Sequence, residues 1–249
     1  MAARTAAQGL TATVDAVYVV NLASRPDRRR DMQAELERAG FSTQSETVQF
    51  FRAIRPDDAG PFPSVGARGC FLSQLGVLRA ARDAGHRAIL LLEDDAAFSA
   101  AFLSDGAEVL SGLDGTDWAM AYLGHRVDPA QMPGPGQDRG AHWRALDPDT
   151  AVVCAHAVLF HQRAIGPLVQ YLEAMLERPA GHGDGGPMHV DGAYTWFRRT
   201  HPQMLTLLTP QQYVTQRASR SDITEQSWKE KLPFWNVLRQ VKNRLARRF

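Results

Sequence analysis

The chain has 249 residues, of which 44% are hydrophobic, so it can bury one sizeable core and is expected to form a single large domain. Its 28 Lys and Arg residues nearly balance its 27 Asp and Glu residues, and the formal net charge of +1 gives no support for a nucleic-acid partner. The two cysteines, Cys70 and Cys154, have no CxxC partner, which argues against a disulfide framework or a structural zinc site.

Hydropathy gives no sign of membrane insertion. No segment approaches the roughly 18 to 20 consecutive apolar residues of a membrane span. The first residues also lack the apolar run of a cleaved secretion signal. We therefore expect a soluble, cytoplasmic protein.

The first predicted unit is a strand, a short turn and a helix. Residues 14–20 form an apolar, β-branched run that stops at Asn21, and residues 27–39 carry apolar side chains at helical spacing. Four arginines lie where this helix begins: Arg25, Arg28, Arg29 and Arg30. The positive end of a helix dipole prefers anions, so a nucleotide diphosphate bound here would relieve the repulsion. The alternative is a solvated basic face that Asp27 and Asp31 neutralise.

The next predicted elements lead to a cluster of acids. Residues 50–54 favour a short strand, a helix ends near Gly85, and the wholly apolar residues 88–92 indicate a strand buried on both faces. This strand runs directly into three carboxylates: Glu93, Asp94 and Asp95.

Three consecutive acids after a buried strand suggest a site for a cation. If the strand geometry continues, Glu93 and Asp95 project to the same side and offer the hard oxygen ligands that Mg²⁺ and Mn²⁺ prefer. A turn or a helix cap would also explain an acidic triplet at this place, so the triplet alone leaves both interpretations open.

The second half continues the alternation of strands and helices. Strands are predicted at residues 118–123, 151–160 and 204–208, with a helix at residues 163–176. Residues 127–139 and 179–187 are rich in Gly and Pro, which indicates surface loops, the second of them a candidate lid. His156 falls in an apolar run and is expected to be a hydrogen-bonded core residue. The pattern predicts an α/β sheet, in which ligands bind at the carboxyl ends of the strands.

Two long segments resemble one known family. VYVVNLASRPDRRRDMQAEL resembles the opening of glycosyltransferase family 25, the lipopolysaccharide and collagen-type galactosyltransferase family, with its strand, Asn-Leu turn and Arg-x-x-Arg helix. GARGCFLSQLGVLRAARDAGHRAILLLEDDAAF is similar to the second motif of that family, a helix with Gly-Cys and Ser followed by a strand that ends in Glu-Asp-Asp. Weaker likeness extends through AVVCAHAVLFHQRAIGPL, HVDGAYTWF and QRASRSDI, so the expected catalytic domain spans residues 14–223.

The resemblance implies a fold, a donor and a set of binding residues. It implies an A-type glycosyltransferase (Rossmann-like) fold, a UDP-sugar donor, a Mn²⁺ or Mg²⁺ cofactor, and transfer of a hexose with inversion, galactose being the hexose expected from the family. By position, Glu93 and Asp95 become the metal ligands. The implied donor-binding residues are Asn21, Arg25, Arg28, Ser73, Asp94, Gln216, Ser221 and Asp222. Gly69 and Cys70 match the second motif as well, whereas Gln74 stands where the family usually has His.

Inverting transfer needs one base that takes the proton of the acceptor hydroxyl. Asp191 in HVDGAY resembles the single acid of the family in that region and is the candidate base, with Asp184 as the second choice. A helix N-cap is the alternative role for Asp191.

The end of the chain is basic. Residues 229–249 contain seven Lys and Arg residues against a single Glu, with apolar side chains at helical spacing. This pattern predicts a basic amphipathic C-terminal helix, which could either lie on an anionic membrane surface beside a lipid-linked acceptor or dock on the core.

The resulting hypothesis is a metal-dependent hexosyltransferase that acts on a glycan or a lipid-linked glycan such as lipopolysaccharide. A catalytically silent family member that acts as a binding or adhesion protein is the alternative. A phosphotransferase lacks support because no GxxxxGK[ST] phosphate loop is present.

Overall fold

The structure, a computed structural model, describes residues 5–217. After a short leading helix, the first half alternates strands with helices. These elements are α1 (Ala6–Thr13), β1 (Ala16–Asn21), α2 (Pro26–Arg38), β2 (Val48–Arg52), α3 (Val65–Asp83) and β3 (Ala88–Glu93). The strand, turn and helix predicted around Asn21 are therefore present, and Pro26 occupies the first turn of α2, where its missing N–H costs nothing.

The second half adds six strands and three more α-helices among the described residues. They are β4 (Ala96–Phe98), α4 (Ala100–Ser111), β5 (Trp118–Arg126), β6 (Arg144–Ala145), β7 (Val153–His161), α5 (Gln162–Glu177), α6 (Val190–Thr200), β8 (Leu205–Leu208) and β9 (Val214–Gln216).

Seven of these strands form one sheet, in the order β2-β1-β3-β7-β5-β8-β6. β1 pairs in parallel with β2 and with β3, and β8 pairs in parallel with β5, whereas β7 and β6 are antiparallel to their neighbours. Five strands therefore run in one direction, which confirms the α/β prediction. Because Val20 is opposite Glu93 in the register, the carboxyl ends of β1 and β3 meet at the same edge.

Apolar layers cover both faces of the sheet. On one face, Leu10, Met32 and Val109 bring α1, α2 and α4 into the core. On the other face, α3, α5 and α6 contribute side chains such as Leu75, Leu168 and Phe197. β3 lies between the two layers with Ala88–Leu92 buried, as its wholly apolar sequence predicts.

The structure corrects one local expectation. β3 ends at Glu93, and Asp94 and Asp95 lie in the turn that leads to β4. The extended geometry therefore does not continue through the acids, and the argument that strand alternation places Glu93 and Asp95 on one side was wrong. Their relative position depends on the turn.

Three further expectations concern membrane insertion, the C-terminal residues and His156. No helix within residues 5–217 has the length and apolarity needed to cross a membrane. Ser221, Asp222 and the basic segment 229–249 lie outside the described residues, so the predictions made for them stand as predictions. His156 is buried, as predicted, and its Nε2 is 3.1 Å from the carbonyl oxygen of Val214.

Candidate functional site

A cavity of about 600 Å³ opens where β1, β2 and β3 end. This volume lies within the range of small-molecule sites. Six of the residues predicted for the site line it: Arg28, Ser73, Glu93, Asp94, Asp95 and Gln216. These residues therefore lie where an α/β sheet usually binds its ligands, and their roles stay predictions.

Asp94 is held by a hydrogen bond and an ion pair. Asn21 Nδ2 donates to Asp94 Oδ2 at 2.7 Å, and Arg28 donates to Asp94 Oδ1 at 2.7 Å. The Arg28 and Asp94 side chains are only 13% and 8% exposed, so this pair is mostly removed from water. Arg28 thus meets an anion of its own chain, and Asp94 is neutralised.

Glu93 is held in a different way, by neutral donors. The Gln74 side-chain amide donates to Glu93 Oε1 at 3.2 Å, and the Cys70 thiol lies 3.6 Å from the same oxygen. Gln216 donates to the other oxygen, Oε2, at 3.2 Å. Burial first, and the charge of Asp95 second, raise the pKa of Glu93 from 4.5 to about 8. Without a cation, a pKa of about 8 favours the protonated form of Glu93 at neutral pH, and no positive group within residues 5–217 contacts its carboxyl group directly.

Asp95 presents an oxygen without a hydrogen bond. Within residues 5–217, Asp95 Oδ1 is buried and has no hydrogen-bond partner, and Oδ2 is 4.0 Å from the Arg28 guanidinium. Burial raises the pKa of Asp95, and the charges of Arg28 and Arg217 oppose this effect. A buried carboxylate oxygen without a donor costs free energy unless a ligand satisfies it.

These features fit a divalent cation bound together with a phosphate-bearing ligand. In the described part of the chain, no group of three or more His, Cys, Asp and Glu side chains could hold a metal ion. Mg²⁺, however, is commonly held by only one or two carboxylates plus substrate phosphates and water. Glu93 and Asp95 supply two hard oxygen donors and excess negative charge, so the residues fit such a cation.

Ser73 and Gly69 shape the wall of the cavity through backbone contacts. The Ser73 hydroxyl accepts from the backbone N–H of Ile54 at 2.8 Å and donates to the carbonyl of Gly69 at 2.6 Å. A Cβ on Gly69 would lie 2.8 Å from the Ile54 carbonyl oxygen, too close for any side chain. These two residues therefore keep α3 against the loop after β2. The Ser73 hydroxyl makes its hydrogen bonds to the backbone of Ile54 and Gly69.

Arg25 lies at the start of α2. It occupies the N-cap position, and its guanidinium donates to Asp27 at 2.9 Å. It does not line the cavity, so its predicted contact with the donor remains a prediction.

Asp191 lies in the first turn of α6 and bridges to β7. Its Oδ2 accepts from the backbone N–H of Cys154 at 3.1 Å, and Oδ1 accepts from the N–H of Gly192 at 2.8 Å. Cys154 has φ +73°, a conformation that costs free energy for a non-glycine residue. The N-cap position of α6 belongs to His189. The charge of Asp191 also adds to the raised pKa of Glu93, after burial and the neighbouring acids, so the carboxylates share one electrostatic environment.

Asp184 has a different setting. Its side chain is 71% exposed, and it does not line the cavity. Its carbonyl oxygen accepts from Tyr171 and Arg178, which fastens the loop that contains it to α5.

Two further residues take part in the site without having been assigned a role from the sequence. Arg217 donates its backbone N–H to the Asp95 carbonyl at 2.7 Å, and its guanidinium donates to the Asp94 carbonyl. Tyr194 donates to Gln74 Oε1 at 2.6 Å. Arg217 directly follows Gln216 in QRASRSDI, so the resemblance of that segment to the family could have identified it. No local pattern in the sequence pairs Tyr194 with Gln74.

Comparison with known proteins supports the resemblance seen in the sequence. Residues 14–128, slightly less than half of the chain, match the family model described as glycosyltransferase family 25 (LPS biosynthesis protein). The matched range contains both long motifs, including Arg28 and the three acids. This match confirms the resemblance, agrees with the A-type fold that it implies, and supports a glycosyl-transfer function.

Two solved structures are similar in outline. One is a glycosyltransferase involved in the glycosylation of the major capsid of PBCV-1, with 10% identity, a TM-score of 0.45 and coverage of 78% of this chain and 79% of that one. The other is a protein from STIV, with 9% identity, a TM-score of 0.37 and coverage of 85% and 96%. At these TM-scores neither likeness indicates a function.

Proposed function

We propose, starting from the match of residues 14–128 to glycosyltransferase family 25, that this chain transfers a hexose from a UDP-sugar to a glycan acceptor with inversion and with a divalent cation. The observation that carries the proposal is the buried Asp95 Oδ1, which lines the cavity and has no hydrogen-bond partner within residues 5–217. Beside it, the described residues that hold the Glu93 side chain are Gln74, Gln216 and Cys70, none of which carries a positive charge.

A cation that also contacts the donor diphosphate would satisfy Asp95 Oδ1 and the Glu93 carboxylate. Glu93 and Asp95 would hold Mn²⁺ or Mg²⁺, both of which accept carboxylate ligands. When bound, such a cation supplies positive charge to the diphosphate that leaves the sugar.

The remaining donor contacts would come from the walls of the cavity. Arg28 lines it and brings a positive charge beside Asp94 and Asp95. Ile54 and Val65 line it as well, and both are unusually exposed for apolar side chains, at 41% and 39%. A cavity with charge at one wall and exposed apolar surface at another suits a nucleotide, whose phosphates are charged and whose base has apolar faces.

Asp191 is the proposed base. In a single displacement, the acceptor oxygen bonds to the anomeric carbon while the bond from that carbon to the diphosphate oxygen breaks. The proton of the acceptor hydroxyl would pass to the Asp191 carboxylate. Asp191 influences Glu93 electrostatically but does not line the donor cavity, a placement that suits the acceptor side.

The acceptor is proposed to be a glycan such as lipopolysaccharide, because the matched family takes part in lipopolysaccharide biosynthesis. The basic segment 229–249 would then hold the enzyme at an anionic membrane surface close to a lipid-linked acceptor. Cytoplasmic location is part of the same proposal.

The test is release of UDP by the purified full-length chain from a panel of UDP-sugars, with Mn²⁺, with Mg²⁺ and with EDTA. Asp95→Asn removes the charge of the carboxylate, and Asp117→Asn, in an exposed ion pair with Arg163, is the matched control. Metal-dependent turnover of one UDP-hexose, lost in Asp95→Asn and retained in the control, is the expected result.

Two other outcomes would overturn parts of this proposal. Binding of a UDP-sugar without turnover of any donor would favour the silent binding protein. Turnover that survives EDTA and the Asp95→Asn change would remove the cation from the proposal.

A further inference from the structure

A chain of buried hydrogen bonds connects α6 to Glu93. Tyr194 in α6 donates its hydroxyl to Gln74 Oε1 at 2.6 Å, and the Gln74 side-chain nitrogen donates to Glu93 Oε1 at 3.2 Å. Tyr194 is fully buried and Gln74 is 1% exposed, so water does not compete for the bond between them, whereas the bond to Glu93 is partly buried beside the cavity. Hydrogen bonds in such an environment are costly to leave unmade.

The direction of this chain is fixed by its two ends. A carboxylate accepts hydrogen bonds and cannot donate them, so the Gln74 amide must turn its NH₂ group toward Glu93. Its carbonyl oxygen then faces Tyr194, whose hydroxyl donates to it. Tyr194 therefore determines the orientation of Gln74, and Gln74 in turn determines the position of Glu93 Oε1.

The chemistry of these donors separates Glu93 from its neighbour. Asp94 is neutralised by the guanidinium of Arg28. The side chains that donate to Glu93 are two amides and a thiol, which fix its oxygens without compensating its charge. A carboxylate that is held in place without a counter-charge in direct contact is what a cation ligand requires, because the cation then stabilises its ionised form in a defined geometry.

The same hydrogen bonds connect the two sides of the site. Tyr194 follows Asp191 by three residues in α6, so both lie on neighbouring turns of one face of that helix. The helix that carries the proposed base is thereby tied to the end of β3.

We propose that Gln74, oriented by Tyr194, is a positioning residue that aligns the Glu93 carboxylate for a cation bound with the donor diphosphate. This inference rests on the proposed function. Neither side chain would contact the donor, because Tyr194 acts through Gln74 and Gln74 acts through Glu93. Loss of an outer partner of a metal ligand typically weakens metal affinity about 10-fold to 100-fold.

The test measures binding of UDP in the presence of Mn²⁺ by titration calorimetry, which does not depend on turnover. Gln74→Met keeps the length of the side chain and removes both hydrogen bonds, and Tyr194→Phe removes only the hydroxyl. Tyr171→Phe is the matched control, because that hydroxyl donates to the Asp184 carbonyl at the surface. We expect binding to weaken about 10-fold or more in Gln74→Met, less in Tyr194→Phe, and not at all in the control.

A double-mutant cycle with Glu93→Gln separates positioning from other effects. If Gln74 acts through Glu93, then Gln74→Met has little further effect on UDP binding once Glu93 has been replaced. Losses that simply add would overturn the positioning role, as would a Gln74→Met variant that binds UDP as tightly as the wild type.

The failure of this inference can be distinguished from failure of the proposed function. Wild-type protein that binds no UDP with either Mn²⁺ or Mg²⁺ would overturn the proposed function and the positioning role together. Wild-type binding with an unaffected Gln74→Met variant would overturn the positioning role alone. Tyr194→Phe covers the case in which Gln74→Met fails to fold, since it removes a single oxygen atom.

Discussion

The Arg28 guanidinium lies 2.7 Å from Asp94 Oδ1, and this largely buried ion pair joins the first turns of α2 to the end of β3. The pair gives the three consecutive acids different roles. Asp94 is neutralised inside the protein, whereas Glu93 and Asp95 have no ion pair as close as this one among the described residues, and burial raises the pKa of both.

Breaking this pair is expected to destabilise the fold. Arg28→Met leaves Asp94 buried without its counter-charge, and we expect a loss of about 2 to 3 kcal/mol, somewhat less than for a fully buried pair. Arg163→Met, which breaks the exposed pair with Asp117, is expected to cost less than about 1 kcal/mol. Urea unfolding of the two variants measures the difference, and equal losses would contradict a structural role for the Arg28 pair.

Glu93 is expected to make stability fall as the pH rises from 4.5 to about 8. Its folded pKa of about 8 lies above the ordinary value of 4.5, so the folded state binds the proton more tightly than the unfolded state. The contribution is present below pH 4.5 and is lost as the pH rises through 8. Without added metal, we expect thermal stability to fall over this window, and to fall less in Glu93→Gln. Parallel pH profiles for the two proteins would refute the prediction.

His156 is expected to lower the stability of the fold as the pH falls below about 6.5. Burial lowers its pKa, and its hydrogen bond to the Val214 carbonyl opposes this effect. Because the folded pKa lies below the unfolded value of about 6.5, its stabilising contribution is present above that value and is lost as the pH falls. His156→Gln keeps a donor but does not titrate, so it is expected to lose less stability between about pH 6.5 and pH 5 than the wild type. Urea unfolding at several pH values provides the comparison.

Gly69 is expected to tolerate no side chain. A Cβ there would lie 2.8 Å from the Ile54 carbonyl oxygen and 3.3 Å from Pro56, so Gly69→Ala should push α3 away from the wall of the cavity. We expect lower stability and a several-fold higher KM for the donor. Gly166→Ala in α5 is the control, because its Cβ meets no residue other than its chain neighbours within 4 Å, and it should leave the KM for the donor unchanged.

Asp191 offers a test of the proposed base that preserves the fold. Asp191→Asn keeps an oxygen that can accept from the Cys154 N–H but loses the acceptor for the Gly192 N–H, so we expect a stability loss of only about 1 kcal/mol. The amide cannot take the proton of the acceptor, and we expect kcat to fall about 10²-fold to 10⁴-fold while UDP binding is retained. Asp184→Asn, at an exposed position outside the cavity, should leave kcat unchanged. The reverse pattern would make Asp184 the base.

Local sequence patterns predicted much of the fold. The apolar residues of β3 and the helical spacing in α2 and α5 depend on neighbours a few residues apart, and the observed bounds lie within one or two residues of those predicted. The short strand β4 and the helices α1, α4 and α6 were not predicted. α1 and α4 stabilise each other, since Gly9 lies directly against Ala107. A contact between such small residues adds no periodic pattern of large apolar side chains to either segment, so the sequence does not show it.

By itself, then, the sequence determined the α/β order of elements, the family resemblance, and the presence of acids at the end of a buried strand. Only the tertiary structure decided which acid is neutralised by a direct ion pair. The partners that decide it are 66 residues away for Asp94 and Arg28, 123 for Glu93 and Gln216, and 120 for Gln74 and Tyr194. Hydrogen bonds over such separations depend on how strands and helices meet in space, and three adjacent acids look alike in the sequence until those contacts form.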